Sequence, residues 1–216
     1  SQVYPEYRRS LLKYNRVLKQ RNRLLDHLQG QFIRKVQESQ LEIWDKQLLE
    51  SGVKIQEYRS RFFKYAENEL HKISKDLYED GYDLELEYKK NLLSENRLDN
   101  LREKDLRYGT TQIGPHRDDY EFIMKNGKGE YLLKGYGSRG QQRTGVLCMK
   151  ILEMDYIEAS SGVRPTLLLD DIFSELDENY RKAIQSIAKK QQTIITTADK
   201  ESVPNEIKSH SNNIEL

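Results

Sequence analysis

The chain has 216 residues, 36% hydrophobic and 33% charged, with a formal net charge of +1. That length holds one ample domain or a domain with an extension, and the polarity suits a globular core with long solvated helices rather than one compact globule. The near-neutral charge names no partner, no segment approaches the 18 consecutive apolar residues of a membrane span, and a single cysteine excludes an internal disulfide and suits a reducing cytosol.

The charge is unevenly spread. Residues 1–35 carry nine Lys/Arg against two Asp/Glu, a local +7, and the remainder carries −6. Arg8, Arg9, Lys13, Arg16, Lys19, Arg21 and Arg23 are the candidate surface for an anionic partner such as a DNA backbone, and a solvated helix face is the competing reading. The opening "SQVYPEYRRS" has neither an apolar leader nor an initiator Met, so a piece of a longer protein is expected.

Residues 6 to about 80 read as helix. Leu11, Leu18, Leu25 and Phe32 recur every seven residues, with Tyr14 and Leu28 on a second seam that Arg21 interrupts. A second run places Leu41, Leu48, Ile55 and Phe62 at one heptad position and Trp44, Tyr58 and Tyr65 at the other. Two runs broken near Gly30 predict long helices packed lengthwise. The tyrosines at this spacing, Tyr78 included, are read as packing residues rather than a base-stacking platform. Gly81 ends the region, and "YDLELEY" (82–88) alternates as a half-buried strand. Residues 92–107 are again helical. From Gly109 onward the texture is strand and turn, so a boundary is expected near residue 108. "DYEFIMKNGKGEYLLK" predicts a hairpin across Asn126 to Gly129. Residues 140–159 form an amphipathic helix that contains Cys148, read as a small buried apolar residue. "RPTLLLDD" and "TIITTAD" read as fully buried strands flanking a helix over 178–190, a βαβ unit.

Chemistry gathers at two places. "TLLLDDIFSELD" (166–177) delivers Asp170 and Asp171 together at a strand's carboxyl end, where ligands bind in α/β sheets. Adjacent carboxylates there suit a hydrated Mg²⁺ and a polarised water at a γ-phosphate. One acid alone would also serve as a helix cap. "GYGSRG" (135–140) matches the G-x-G-x-x-G dinucleotide pattern, but its context fails: it follows a hairpin, and its helix opens with Gln141, Gln142 and Arg143. The alternative is a helix N-terminus offering backbone N–H groups and the Ser138 hydroxyl to phosphate, with Ser138, Gly140 and Gln141 as contacts. His27, His71, His116 and His210 lack metal-ligand spacing, and no nucleophile elbow is present. His116 and Arg117 in "GPHRDD" (114–119) either approach nucleotide or a domain interface, or sit in a turn with Arg117 paired to Asp118 or Asp119.

The order loop, helix, strand-DD, SELD resembles the signature motif, Walker B motif and D-loop of ABC-type ATPases. "GPHRDD", "GSRGQQRT" (137–144), "LLLDDIFSELD" (167–177) and "TTAD" (196–199), with "LKQRN" (18–22) and "WDKQL" (44–48), together resemble the RecF family of bacterial recombination mediators across essentially the whole chain. The resemblance implies an α/β fold: an ABC/SMC-type ATPase head portion (109–216) with a long-helix, coiled-coil-like arm (1–108), into which the strand at 82–88 returns toward the head. It implies ATP and Mg²⁺ held between two heads of a homodimer, with Asp170 as the magnesium-linked carboxylate and Asp171 as the catalytic one. Ser138, Gly140 and Gln141 would contact the partner's nucleotide, Asp177 would cross the interface, and Thr197 would hold the switch position.

The family further implies ATP-dependent binding of double-stranded DNA and single/double-strand junctions, action with RecR and RecO to load RecA, a role in DNA replication, repair and the SOS response, and a cytoplasmic, nucleoid-associated location. Two departures qualify it. The one Gly-Lys pair, Gly127-Lys128, is followed by Gly129 and Glu130, and Phe122 stands where the P-loop needs glycine, so the Walker A half is expected elsewhere and this chain alone should be inactive. Thr197 and Ala198 replace the switch histidine of many ABC ATPases, so the complete protein is expected to be a weak, DNA-dependent ATPase. Another SMC-type head fragment, or a helical repair protein with a vestigial site, are the alternatives.

Overall fold

Pro5 occupies the first helical position, where its fixed φ and missing N–H cost nothing, and starts helix α1 (Pro5–Leu28). A computed structural model describes residues 3–32, 34–78, 81–170, 184–198, 203–212 and 214. Helix α2 (Lys35–Leu77) follows, then β1 (Asp83–Lys89) and α3 (Glu95–Tyr108). Ser94 caps α3 by accepting from the Arg97 amide, and Gly109 closes it at φ 66°. Strands β2 (Asp119–Asn126) and β3 (Gly129–Leu132) lead through one helical turn, α4 (Leu133–Tyr136), into α5 (Arg139–Ser161). Strand β4 (Leu167–Asp170), a helical stretch at 184–188 and β5 (Thr193–Thr196) complete the core. The long helices and the α/β core are those expected of an ABC/SMC-type head portion with a helical arm.

Two compact units emerge, one of residues 1–64 and 87–121, the other of 65–86 and 122–216. This division falls elsewhere than at residue 108, because the unbroken α2 runs through both units and the segment up to 121 packs with α1 and the first part of α2.

In the first unit Tyr14, Val17, Leu48, Ile55, Leu93, Leu98 and Ile113 form one cluster, and Leu25, Leu28 and Leu41 another. Each fully buried aliphatic side chain contributes roughly 1.5–3 kcal/mol, so packing rather than intrinsic propensity holds the two helices together. The innermost row of α1 is Ser10, Tyr14, Val17, Arg21, Leu25 and Leu28. Leu11 and Leu18 only flank it, and Phe32 lies past the helix end, 92% exposed. The seam that Arg21 was expected to interrupt is therefore the central one. On α2 Leu41, Leu48 and Ile55 of the expected heptad are fully buried, whereas its fourth member Phe62, and Trp44, Tyr58 and Tyr65 of the second position, are partly buried.

In the second unit β2 and β3 form the expected hairpin, pairing Asn126 with Gly129 and Ile123 with Leu132. The three-stranded order is β1-β2-β3. Strands β4 and β5 are parallel, from Leu167↔Thr193 to Asp170↔Thr196, as a βαβ unit requires. Leu167, Leu169 and Ile195 turn toward α5 side chains Leu147, Ile151 and Met154. Both strands were expected to be covered on both faces, but Leu168 is 70% and Ile194 51% exposed. They form a register pair on the other face of the two-stranded sheet. Period-two alternation sends these neighbours outward, and no described element lies over them.

Candidate functional site

The loop before α5 ends in a reciprocal cap. The Gln141 amide donates to Ser138 Oγ at 3.2 Å, and the Ser138 amide donates to Gln141 Oε1 at 2.9 Å. The S-x-x-Q spacing of a capping box was readable in the sequence and explains why the helix starts here. Gln142 Nε2 ties the turn down by donating to the Lys134 and Gly137 carbonyls at 3.2 and 3.0 Å. Ser138 is exposed, and its oxygen accepts from Gln141 while its hydroxyl proton stays available to an anion. The amides of the first helical positions, Arg139 and Gly140, have no intrahelical acceptor by geometry. This donor set fits a phosphate oxygen.

The parallel pairing of β4 and β5 brings both carboxyl ends to one sheet edge. Asp170 is the last residue of β4, exposed, and Thr196 Oγ1 donates to its Oδ1. Thr197 follows directly on the paired strand. One exposed carboxylate steadied by a hydroxyl fits a hydrated Mg²⁺, which keeps several of its waters. No group of three metal-binding side chains occurs among the described residues. Asp171 and Asp177 lie outside the described residues.

Of the seven basic candidates on α1, six are exposed: Arg8, Arg9, Lys13, Arg16, Lys19 and Arg23. At 100° per residue, Arg8, Arg16, Lys19 and Arg23 fall within a sector of about 80°, opposite the buried row, along about 22 Å of helix. Lys13 pairs with Glu50 at 2.7 Å. Arg21 is the correction. It is fully buried, donating through Nε to Asp45 at 2.6 Å and through Nη1 to Asp105 at 2.7 Å and Thr111 at 2.8 Å. It cannot reach a phosphate. Asp105, which the sequence did not single out, also accepts from the Gln112 amide.

"GPHRDD" turns out to be a brace within its unit. Tyr14 donates to His116 Nδ1 at 2.7 Å, and His116 Nε2 donates to the Thr111 carbonyl at 3.1 Å. Burial depresses the imidazole's pKa ahead of the opposing pull of that carbonyl, which favours the neutral ring this pairing needs. Gly114 makes the approach possible: its φ is 122°, and a Cβ there would stand 2.5 Å from the Tyr14 hydroxyl oxygen. Asp118 accepts from Gln56 Nε2, the Asn91 amide, Arg59 Nη1 and Tyr88 Oη. Arg117 meets the Thr111 carbonyl through Nε, not through the Asp118 or Asp119 pairing considered from sequence. The bonds are those of a turn, with a different partner for Arg117 than the sequence suggested. Cys148 is buried and its thiol is pushed up to about 12 by that burial, which suits packing rather than nucleophilic chemistry.

No family model matches the chain. Curated relatives do. The DNA replication and repair protein RecF of Thermoanaerobacter sp. is 38% identical over 214 residues, 93% of this chain and 56% of that protein. RecF of Halothermothrix orenii is 37% identical over 215 residues, covering 92% and 56%. The chain thus spans a little over half the length of the curated relatives it matches. The solved recombination mediator protein RecF-ATPrS in the RecFOR pathway superposes with a TM-score of 0.76 at 33% identity, over 94% of this chain and 56% of that one. The corresponding RecF-ATP structure gives 0.72 at 32% identity. Over the portion of those proteins that it matches, this chain is similar to RecF proteins in both sequence and fold.

Proposed function

We propose that this chain is the part of an ATP-gated, DNA-binding recombination mediator that supplies the signature loop and the magnesium-side carboxylate of a nucleotide sandwiched between two heads. The observation that carries the reading is the Ser138-capped start of α5, an exposed set of donors that suits a phosphate, in a chain that superposes on the RecF-ATPrS and RecF-ATP structures. Ser138, Gly140 and Gln141 would grip the γ-phosphate of ATP held by the partner head. Asp170 would orient the hydrated Mg²⁺ of its own head, and Thr197 would face the same nucleotide. Asp171 and Asp177 keep the catalytic and interface roles that the family likeness gives them. When bound, the ion offsets charge on the phosphate oxygens. The Walker A half belongs to the part of the relatives' length that this chain does not span, and the exposed Leu168–Ile194 face suits a covering segment from that part.

The exposed α1 stripe would follow the backbone of double-stranded DNA near single/double-strand junctions. RecR would bind the assembled dimer, and RecO and RecA loading would lie downstream. Hydrolysis would be slow, as a timed clamp needs. Light scattering of the complete protein tests the core of this. With saturating Mg-ATP, Ser138→Ala should lower the dimer fraction while the isolated head still binds ATP. A dimer fraction equal to wild type would sink the reading.

A further inference from the structure

Tyr78 lies just past the end of α2, with its amide continuing the helical ladder to the Ser74 carbonyl at 2.9 Å. Its hydroxyl donates to the backbone carbonyl of Gln141 in the first turn of α5, at 2.7 Å. Burial pushes that hydroxyl's pKa up, so it stays a neutral donor. A carbonyl has two lone pairs, so Gln141 can take this bond in addition to its helical one. Gly145, one turn on, leaves space on this face of α5 for Leu133. A Cβ at Gly145 would stand 2.6 Å from Leu133 Cδ2 and 3.5 Å from Tyr78 Oη. Gln141 is also the residue whose side chain holds the Ser138 amide, while Ser138 Oγ caps the Gln141 amide. The three residues form a chain: the end of α2 holds the Gln141 carbonyl, Gln141 holds the Ser138 backbone, and Ser138 presents the hydroxyl.

We infer that Tyr78 is a positioning residue for the nucleotide-gripping loop, fixing the first turn of α5 so that Ser138 meets the partner head's phosphate in one orientation. This rests on the function proposed above and adds the device that sets the loop: the helix that carries the arm sequence ends in the bond that holds it. Nothing in the sequence pattern marks Tyr78 as different from the packing tyrosines of α2. The difference is the polar acceptor placed over its ring end.

The test is Tyr78→Phe in the complete protein, which keeps the ring and removes one hydrogen bond. Sedimentation equilibrium with saturating Mg-ATP should show dimerisation weakened about three- to tenfold. Hydrogen exchange at the amides of residues 139–145 should speed up, and the thermal midpoint should fall little. Ser138→Ala runs alongside. Dimerisation lost in Ser138→Ala but wild-type in Tyr78→Phe overturns this inference alone. Wild-type dimerisation in both overturns the proposed function and this inference with it. A Tyr78→Phe defect that merely tracks loss of folded protein assigns the bond to stability and also overturns the inference.

Discussion

Replacing Arg21 with Met would leave the fully buried Asp105 carboxylate without its cation, while Asp45, 10% exposed, would lose one of two partners and keep Arg102 at 2.9 Å. Removing one partner of a buried ion pair costs about 3–5 kcal/mol, far more than a surface pair contributes. Urea denaturation should show a loss of that size for Arg21→Met, whereas Arg16→Met, on the exposed face, should stay within about 0.5 kcal/mol of wild type. The sequence pattern marked Arg21 as a flaw in a seam and as one of seven surface cations. Its real partners sit 24, 84 and 90 residues away along the chain, and no local spacing reveals them. His116 gives a pH dependence. Its pKa is held below the ordinary 6.5 by burial, so the unfolded chain takes up the proton first as pH falls. The stability it contributes is therefore complete above about 6.5 and is lost as pH drops toward the depressed folded value. Between pH 7.5 and 5.5 the urea midpoint of wild type should fall more than that of His116→Gln. Equal slopes would remove His116 as the cause.

Element boundaries follow from short-range chemistry, which is why most were legible: Pro5 starts α1, Gly109 closes α3, and the hairpin turns between Asn126 and Gly129. What was not legible depended on what lies across from an element. The apolar runs of β4 and β5 read as doubly buried, yet Leu168 and Ile194 face outward, because a strand's sequence does not say whether a second layer is present in the same chain. For α1 the sequence located the basic residues but not that Arg21 belongs to the buried row on the opposite side of the helix. If the exposed Arg8, Arg16, Lys19 and Arg23 each contact one phosphate, charge reversal of all four to Glu should lower the slope of log affinity against log salt by about 0.9 per lost contact. Fluorescence anisotropy with duplex DNA, from 50 to 200 mM salt, measures this in the complete protein. An unchanged slope would move DNA binding off α1.

In the complete protein this chain would make two contributions that meet only when two heads come together. On the proposed function, the Ser138 loop would serve the partner's nucleotide and the Asp170 edge its own. The motif order pointed to both places in the sequence, since a strand ending in acids and a capped helix start carry their chemistry locally. Which nucleotide each serves is a property of the dimer. The most direct measurement mixes complete protein carrying Ser138→Ala with complete protein carrying Asp170→Asn and follows ATP turnover. Each variant alone should be nearly inactive. A mixed dimer pairs the intact Asp170 of one subunit with the intact Ser138 of the other, so the account predicts recovery to about a quarter of the wild-type rate, half the dimers being mixed with one good site of two. A mixture no faster than the mean of its two components, with mixed dimers shown by cross-linking, would contradict it.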